Sequence, residues 1–126
     1  MFKGFSPYVS VKECFDDLDI PVDHVSRRIT DTYYHSKDVC LRPHTSVHQI
    51  PIMKQGNNFF CVVGDVYRKD TVDKTHYPCF HQMEGVRAYK LSDIGAKDVK
   101  EAKIICERDL KQVLENLARH ILVMWR

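Results

Sequence analysis

The chain has 126 residues, 44% of them hydrophobic, which is enough apolar material for one domain with an ordinary core. Its 19 basic and 17 acidic residues leave a formal charge of only +2, so charge alone gives no sign of nucleic-acid binding. Five scattered cysteines, none in a Cys-x-x-Cys pair, argue against a disulfide scaffold or a zinc ribbon and favour a reducing compartment. No apolar run is long enough for a signal peptide or a membrane span, and the early aspartates disfavour an intact mitochondrial transit peptide.

The N-terminal part has little periodicity and several helix signals. Ser10 and Glu13 stand three residues apart, which predicts a capping box for a short helix through Leu18. Pro21 would end this helix. Residues 23–34 are polar and aromatic without a clear period, and we expect a solvated loop there.

Proline also sets the limits of the next segment. Pro43 has no amide hydrogen, so residues 41–46 are predicted to be an edge strand or the end of a strand. A short helix is predicted from Val47 through Met53, limited by Pro51 to its first turn or ended there. Residues 56–58, Gly-Asn-Asn, predict a turn.

A strand pair is predicted in the centre of the chain. Residues 59–63 are an apolar run, residues 69–79 are a long polar loop, and from residue 80 the sequence alternates with a period of two. This period puts Phe80, Gln82, Glu84 and Val86 on one face and His81 and Met83 on the other. With Arg68 closing the first strand, the polar face suits a ligand that has both an ammonium and a phosphate. On spacing alone, Gln82 and Glu84 suit a solvent-exposed strand face equally well.

The C-terminal third is predicted to be an amphipathic helix. Apolar residues recur at three- and four-residue steps from Val99 to Ile121, so we expect one stripe of the helix to pack on a core. Two Glu-to-basic pairs spaced by four residues, at 107/111 and 115/119, support its exposed face. Residues 123–126 look like the start of another strand.

Two alternative chemistries receive little support from the residues. His44 and His48 are four apart, and His76, Cys79 and His81 are close in sequence, but strand alternation turns Cys79 and His81 away from the polar face. We therefore expect no metal site. Cys61 lies within an apolar run and is interpreted as core packing rather than as a nucleophile.

Several motifs occur together and in a fixed order. They are Leu41-Arg42-x-His44-Thr45-Ser46, Gly64-x-Val66-Tyr67-Arg68, Asp73-x-Thr75-His76 and Phe80-His81-Gln82-x-Glu84-Gly85. Together they strongly resemble phenylalanyl-tRNA synthetase, a class II aminoacyl-tRNA synthetase. The upstream segment 15–34 and the helix segment Arg108–Gln112 resemble the single-chain organellar form. The resemblance runs collinearly from Ser6 to Trp125, which is nearly all of this chain and half or less of a full synthetase.

The resemblance implies an α+β fold in which an antiparallel sheet is flanked by helices, with residues 1–126 forming a partial catalytic domain and the central hairpin forming the second class motif. It implies that Arg68 grips the α-phosphate of ATP as the catalytic residue, with His76 on the phosphates and Phe80 under the adenine. It further implies that the amino end of phenylalanine is held by His44, Ser46, Gln82 and Glu84.

The same resemblance implies an activity and a setting. ATP with Mg²⁺ would activate phenylalanine to the aminoacyl adenylate, which is then transferred to tRNA(Phe). The organellar type implies a monomer in the mitochondrion or another organelle matrix, with the cytoplasm as the alternative, and no membrane association.

The third class motif, close to Gly-x-Gly-x-x-Arg, cannot be formed by the five glycines of this sequence. The wall of the phenylalanine pocket and the anticodon-binding module would also lie beyond Arg126. We therefore expect the chain alone to lack efficient adenylation activity. Two functional classes stay open: a fragment of a phenylalanine-tRNA ligase, or a catalytically incomplete synthetase-like module that binds ATP, an amino acid or a protein partner.

Overall fold

The computed structural model describes residues 1–69 and 73–124. The chain divides into two compact units, Met1–Arg87 and Ala88–Arg126. The predicted α+β class is confirmed. The described residues carry their antiparallel pairing in two separate two-stranded sheets rather than in the single sheet that the resemblance implies.

The first sheet pairs β1, Tyr8–Ser10, with β2, Val39–Leu41. β2 ends ahead of Pro43, as predicted, so it does not extend into the second sheet. Between the two strands, α1 covers only Val11–Cys14 and a separate 3-10 turn covers Asp16–Leu18, so the prediction of one helix through Leu18 is wrong. The Ser10 hydroxyl accepts the amide N–H of Glu13 at 3.1 Å and donates to the Glu13 carboxylate at 2.7 Å, which confirms the predicted cap.

The segment 23–34 is irregular as predicted, apart from a 3-10 turn at Val25–Arg27, but it is not fully solvated. Thr32 is buried, and its hydroxyl donates to the carbonyl of Ser26 at 2.7 Å. The Tyr34 hydroxyl donates to the carbonyl of Arg27 at the same distance. Local side-chain to backbone hydrogen bonds therefore allow polar residues to lie partly inside, and the prediction of a solvated loop is wrong for Thr32.

A 3-10 turn at Thr45–His48 leads directly into α2, Gln49–Lys54. The predicted short helix is present, but it begins at Gln49 rather than Val47, and the prediction that Pro51 limits it to one turn or ends it is wrong. Pro51 lies in the first turn of α2, where its missing N–H costs no intrahelical bond, and the helix continues to Lys54. The chain then turns at Gly56, whose φ of 87° is in the left-handed region that favours glycine.

The second sheet is the predicted hairpin, with β3 at Phe59–Tyr67 and β4 at Cys79–Arg87. Along β4 the residues alternate between exposed and half-buried, and the predicted polar face is the half-buried one. Residues 70–72 of the connecting loop lie outside the described residues. The register sets Val62 opposite Glu84, Gly64 opposite Gln82 and Val66 opposite Phe80.

The first unit buries apolar residues in two clusters. One cluster forms around β1, α1 and β2, and another lies beneath α2 and the hairpin. Their buried members are Val9, Cys14, Phe15, Cys40 and Val47 in the first cluster, and Ile52, Phe60 and Val62 in the second.

Arg42 ties three parts of this unit together. Its side chain is 5% exposed, and its Nε donates to the carbonyl of Asp65 at 2.6 Å. Its Nη1 lies 3.4 and 3.3 Å from the carbonyls of Phe5 and Ser6 and 3.0 Å from Nε2 of His48. A Cβ at Gly64 would lie 2.5 Å from Nη2 of Arg42, so the absence of a side chain there makes room for the guanidinium.

The second unit contains a 3-10 turn at Leu91–Ile94 and a long helix, α3, at Val99–Met124. The predicted helix is confirmed, but no residue of it is buried, so the predicted packing of its apolar stripe on a core is wrong for this chain. Val123 and Met124 are helical, which corrects the predicted strand start; residues 125 and 126 lie outside the described residues. No described helix is long and apolar enough to span a bilayer.

Candidate functional site

A cavity of about 550 Å³ opens in the first unit between the half-buried face of β4 and the segment that follows β2. It brings together the predicted residues His44, Ser46, Arg68, Gln82 and Glu84. Its remaining lining residues are Leu18, Ile20, Thr45, Gln49 and Met83.

The Glu84 carboxylate is held by neutral donors only. It accepts the Thr45 hydroxyl at 2.9 Å, the Ser46 hydroxyl at 3.0 Å and the side-chain amide of Gln49. No Lys, Arg or His of the described residues forms an ion pair with it. A half-buried carboxylate that is oriented but not neutralised favours a cationic ligand group.

Gln82 lies one pleat away on the same face. Its Oε1 accepts the backbone N–H of Thr45 at 3.1 Å. Because a backbone N–H needs an oxygen acceptor, this contact fixes which end of the side-chain amide faces the turn and leaves the NH₂ end for other partners. Gln82 and Glu84 thus meet the same turn.

Arg68 follows directly on β3. Its Nε donates to the carbonyl of Pro43 at 2.9 Å, and its Cζ lies 5.2 Å from the centre of the Phe80 ring. Its Nη groups make no hydrogen bond or ion pair with another described residue. The guanidinium is therefore anchored at one edge and on one face, with donors left for an anion.

His44 lies deeper in the wall of the cavity. Burial lowers the pKa of its imidazole, and nearby Arg68 lowers it further while Glu84 opposes the shift. Nε2 lies 3.7 Å from the Cys14 sulfur, whereas the buried Nδ1 has no hydrogen-bond partner among the described residues. The imidazole is therefore neutral at physiological pH and keeps an unused ring nitrogen.

The structure does not bring His76 or Phe80 to the cavity lining. His76 is exposed in the loop between the strands, with Nδ1 2.9 Å from the Asp73 carboxylate. The turn formed by Thr75 and His76 donates several hydrogen bonds to Asp73 and lowers the pKa of that carboxyl. Phe80 is half-buried beneath Arg68. Their predicted contacts with ATP stay predictions.

The described residues contain no group of three His, Cys, Asp or Glu side chains placed to hold a metal ion. His44 and His48, which are four apart in sequence, have different neighbours. His48 is in contact with Arg42 at 3.0 Å and stacks on the Phe5 ring at 4.1 Å.

Sequence reasoning missed Thr45, Gln49 and the apolar wall of the cavity. Thr45 belongs to the motif that contains His44 and Ser46, and its position between these two predicted site residues is the sequence signal that could have identified it. Gln49 is one helical turn beyond Thr45, a spacing that brings both toward one partner. Leu18 and Ile20 carry no such signal, because apolar residues near a turn suit core packing equally well.

A family model described as tRNA synthetases class II core domain (F) matches residues 5–122. The chain belongs to this family.

Relatives within the family sharpen the comparison. The chain is 47% identical over 120 residues to the chloroplastic/mitochondrial phenylalanine–tRNA ligase of Arabidopsis thaliana, and 45% identical over 139 residues to the mitochondrial one of Dictyostelium discoideum. These matches cover 95% and 96% of this chain but 28% and 30% of those relatives. A match to the phenylalanine–tRNA ligase alpha subunit of Caldicellulosiruptor bescii is 50% identical over 74 residues, covering 57% of this chain and 22% of the subunit. The resemblance found in the motifs is confirmed, and the chain spans less than a third of these relatives' length.

Proposed function

We propose that this chain provides part of the adenylation site of a phenylalanine-tRNA ligase, which activates phenylalanine with ATP and transfers it to tRNA(Phe). One observation carries the proposal: Glu84 and Arg68 line the same cavity, and neither has a counter-ion among the described residues. A substrate pair that joins an ammonium to a phosphate supplies both missing charges. Family membership and the names of the relatives agree with this chemistry.

In the first step an oxygen of the phenylalanine carboxylate attacks the α-phosphorus of ATP, and the bond to pyrophosphate breaks. The nucleophile arrives already ionised, so no general base is needed, and catalysis consists of alignment and charge stabilisation. Arg68 is the catalytic residue, because its planar fork neutralises charge that builds on the phosphoryl oxygens. In the second step a hydroxyl of the terminal adenosine of the tRNA takes the aminoacyl group, and AMP leaves.

The amino end of phenylalanine is assigned to the polar face of the cavity. Glu84 binds the ammonium, and Ser46, Gln82 and the neutral His44 complete its surroundings. His76 is assigned to the ATP phosphates and Phe80 to the adenine. Mg²⁺ enters with ATP on its phosphates.

We further propose that residues 1–126 belong to one catalytic domain, because the family match runs through both compact units. In that domain the hairpin is the second class motif of a larger antiparallel sheet flanked by helices. We also propose a monomer in the matrix of a mitochondrion or another organelle, with the cytoplasm as the alternative. The names of the relatives support the organelle.

The test is phenylalanine-dependent exchange of pyrophosphate into ATP by the gene product that carries these residues. Replacing Arg68 by Ala should lower the exchange rate by roughly 10²- to 10³-fold, as expected when a charge-stabilising donor is lost. The matched variant Arg68→Lys keeps the charge but loses the planar fork, so its exchange rate should lie between those of the parent and Arg68→Ala. Activity of Arg68→Ala within a few-fold of the parent would remove the catalytic role.

A second variant separates amino-acid binding from ATP binding. Glu84→Gln keeps the shape of the side chain but loses its charge, so it should raise the KM for phenylalanine by roughly 10-fold or more while the KM for ATP changes little. Unchanged phenylalanine affinity in calorimetry would contradict the ammonium assignment. A parent protein that binds ATP or phenylalanine without exchange would instead support the incomplete binding module.

A further inference from the structure

Thr45 contacts both side chains assigned to the amino end of the substrate. Its hydroxyl donates to Oε2 of Glu84 at 2.9 Å, and its backbone N–H donates to Oε1 of Gln82 at 3.1 Å. Its side chain is 1% exposed, so Thr45 itself has little surface to offer a ligand. Thr45 is one of the residues that line the cavity, but its neighbours cover nearly all of its surface, so it is suited to hold Glu84 and Gln82 rather than to contact a ligand.

We propose that Thr45 is a positioning residue that fixes Glu84 and Gln82 in the orientation that receives the amino acid. This inference rests on the proposed function, because it assigns Thr45 a part in the same site.

The donors around Glu84 are divided between its two carboxylate oxygens, and Thr45 and Gln49 each hold one of them. Ser46 reaches both carboxylate oxygens at 3.0 Å, so it does not distinguish between them. The Gln49 amide reaches Oε1, and Thr45 reaches Oε2. Two donors on opposite oxygens define the rotation of the carboxylate plane, a torsion that is otherwise broad.

Thr45 is also the donor best placed to keep its bond when a ligand enters. Ser46 and Gln49 are half-buried in the cavity wall, and Ser46 is itself assigned to the ligand. Thr45 is inside, and its β-branched side chain has few accessible rotamers. Burial and stiffness together make its hydrogen bond to Glu84 persistent.

The backbone next to Thr45 also contacts Arg68, the residue assigned to the α-phosphate of ATP. The carbonyl of Pro43 accepts Nε of Arg68, two residues before the Thr45 N–H that binds Gln82. The segment 43–46 thus connects the group assigned to phosphate with both groups assigned to the amino acid. The hydrogen bonds of Thr45 itself go to Gln82 and Glu84, so loss of its hydroxyl should act first on amino-acid binding.

The experiment compares Thr45→Val, which removes the hydroxyl at nearly constant shape, with Thr45→Ser, which keeps it. In pyrophosphate exchange by the gene product, Thr45→Val should raise the KM for phenylalanine by roughly 10-fold or more, the effect of losing one buried donor to a charged acceptor. The KM for ATP should stay within about two-fold of the parent value, and Thr45→Ser should restore most of the phenylalanine affinity. Equal kinetics for the two variants, or parallel losses for both substrates, would overturn the inference.

A second readout needs no substrate and separates this inference from the proposed function. With ¹³C-labelled glutamate, the carboxyl signal of Glu84 is assigned by its disappearance in Glu84→Gln. The signal should move toward that of solvated glutamate in Thr45→Val and stay in place in Thr45→Ser. A parent protein without exchange activity would reject the proposed function while this signal still decides the positioning role; an unmoved signal in Thr45→Val would reject that role.

Discussion

The two units of the chain use their apolar residues in opposite ways. In Met1–Arg87, a set of apolar side chains is removed from water, with Phe15 and Val62 fully buried. In α3, a sustained apolar period leaves Leu110, Val113 and Leu114 more than half exposed. Buried apolar residues therefore stabilise the tertiary structure of the first unit, whereas the exposed apolar residues of α3 contribute little to tertiary packing.

This contrast shows what a functional site needs from its scaffold. Each side chain that lines the cavity belongs to the unit with a buried interior, where the turn that starts at Thr45 is fixed against the hairpin. The apolar period of α3 predicts which face of the helix is suited to burial. The period does not predict whether this chain contains a surface that covers that face.

The largest expected effect tests the buried interior of the first unit. Phe15→Ala should lower the free energy of unfolding of the first unit by roughly 3–5 kcal/mol, because it removes a fully buried ring and leaves a cavity. Hydrogen exchange resolved by mass spectrometry should show faster exchange in peptides of residues 1–87, while those of α3 keep their parent rates. Equal acceleration in both units would mean that they unfold together.

The next effect concerns a buried titratable group of the same unit. Burial and nearby Arg42 lower the pKa of His48 from the ordinary 6.5 to about 4. The unfolded state then binds more protons between these values, so stability should fall by roughly 1–3 kcal/mol as the pH drops from 6.5 to 4. His44, whose pKa is also lowered, contributes in the same direction.

Urea unfolding at several pH values measures this slope. His48→Gln keeps an acceptor for Arg42 but does not titrate, so its stability should depend less on pH over the same interval. The same slope in the parent and the variant would assign the pH dependence to other groups.

The smallest expected effect tests the exposed apolar residues of α3. Leu114 is 54% exposed, and Ala is the better helix former, so Leu114→Ala should change stability by no more than about 0.5 kcal/mol. Thermal unfolding followed by circular dichroism at 222 nm is the measurement. A loss of several kcal/mol would show that this face is covered in solution and would remove the contrast between the units.

The sequence predicted those features that depend on local pattern. The two-residue period placed Phe80, Gln82 and Glu84 on one face of β4 but left open whether that face is exposed, and Ser10 with Glu13 identified a helix cap. The long period of α3 identified a helix. Each is decided by residues close together in the chain.

Features that no periodic pattern announces were missed or wrong. Thr32 is buried because it finds a carbonyl partner in its own loop, which no period announces. Thr45 forms hydrogen bonds with residues 37 and 39 positions away; its position between His44 and Ser46 marked the segment but not these contacts. Val123 and Met124 favour a strand by composition, yet they continue a helix that is already formed.

The close approach of Arg42 to Gly64 has a consequence for sequence variation in this family. The guanidinium of Arg42 occupies the position where any other side chain would begin, and its hydrogen bonds to backbone carbonyls prevent it from withdrawing. Positions 42 and 64 should therefore covary. A larger residue at 64 is compatible only with a shorter one at 42, so homologues that keep Arg42 should also keep Gly64.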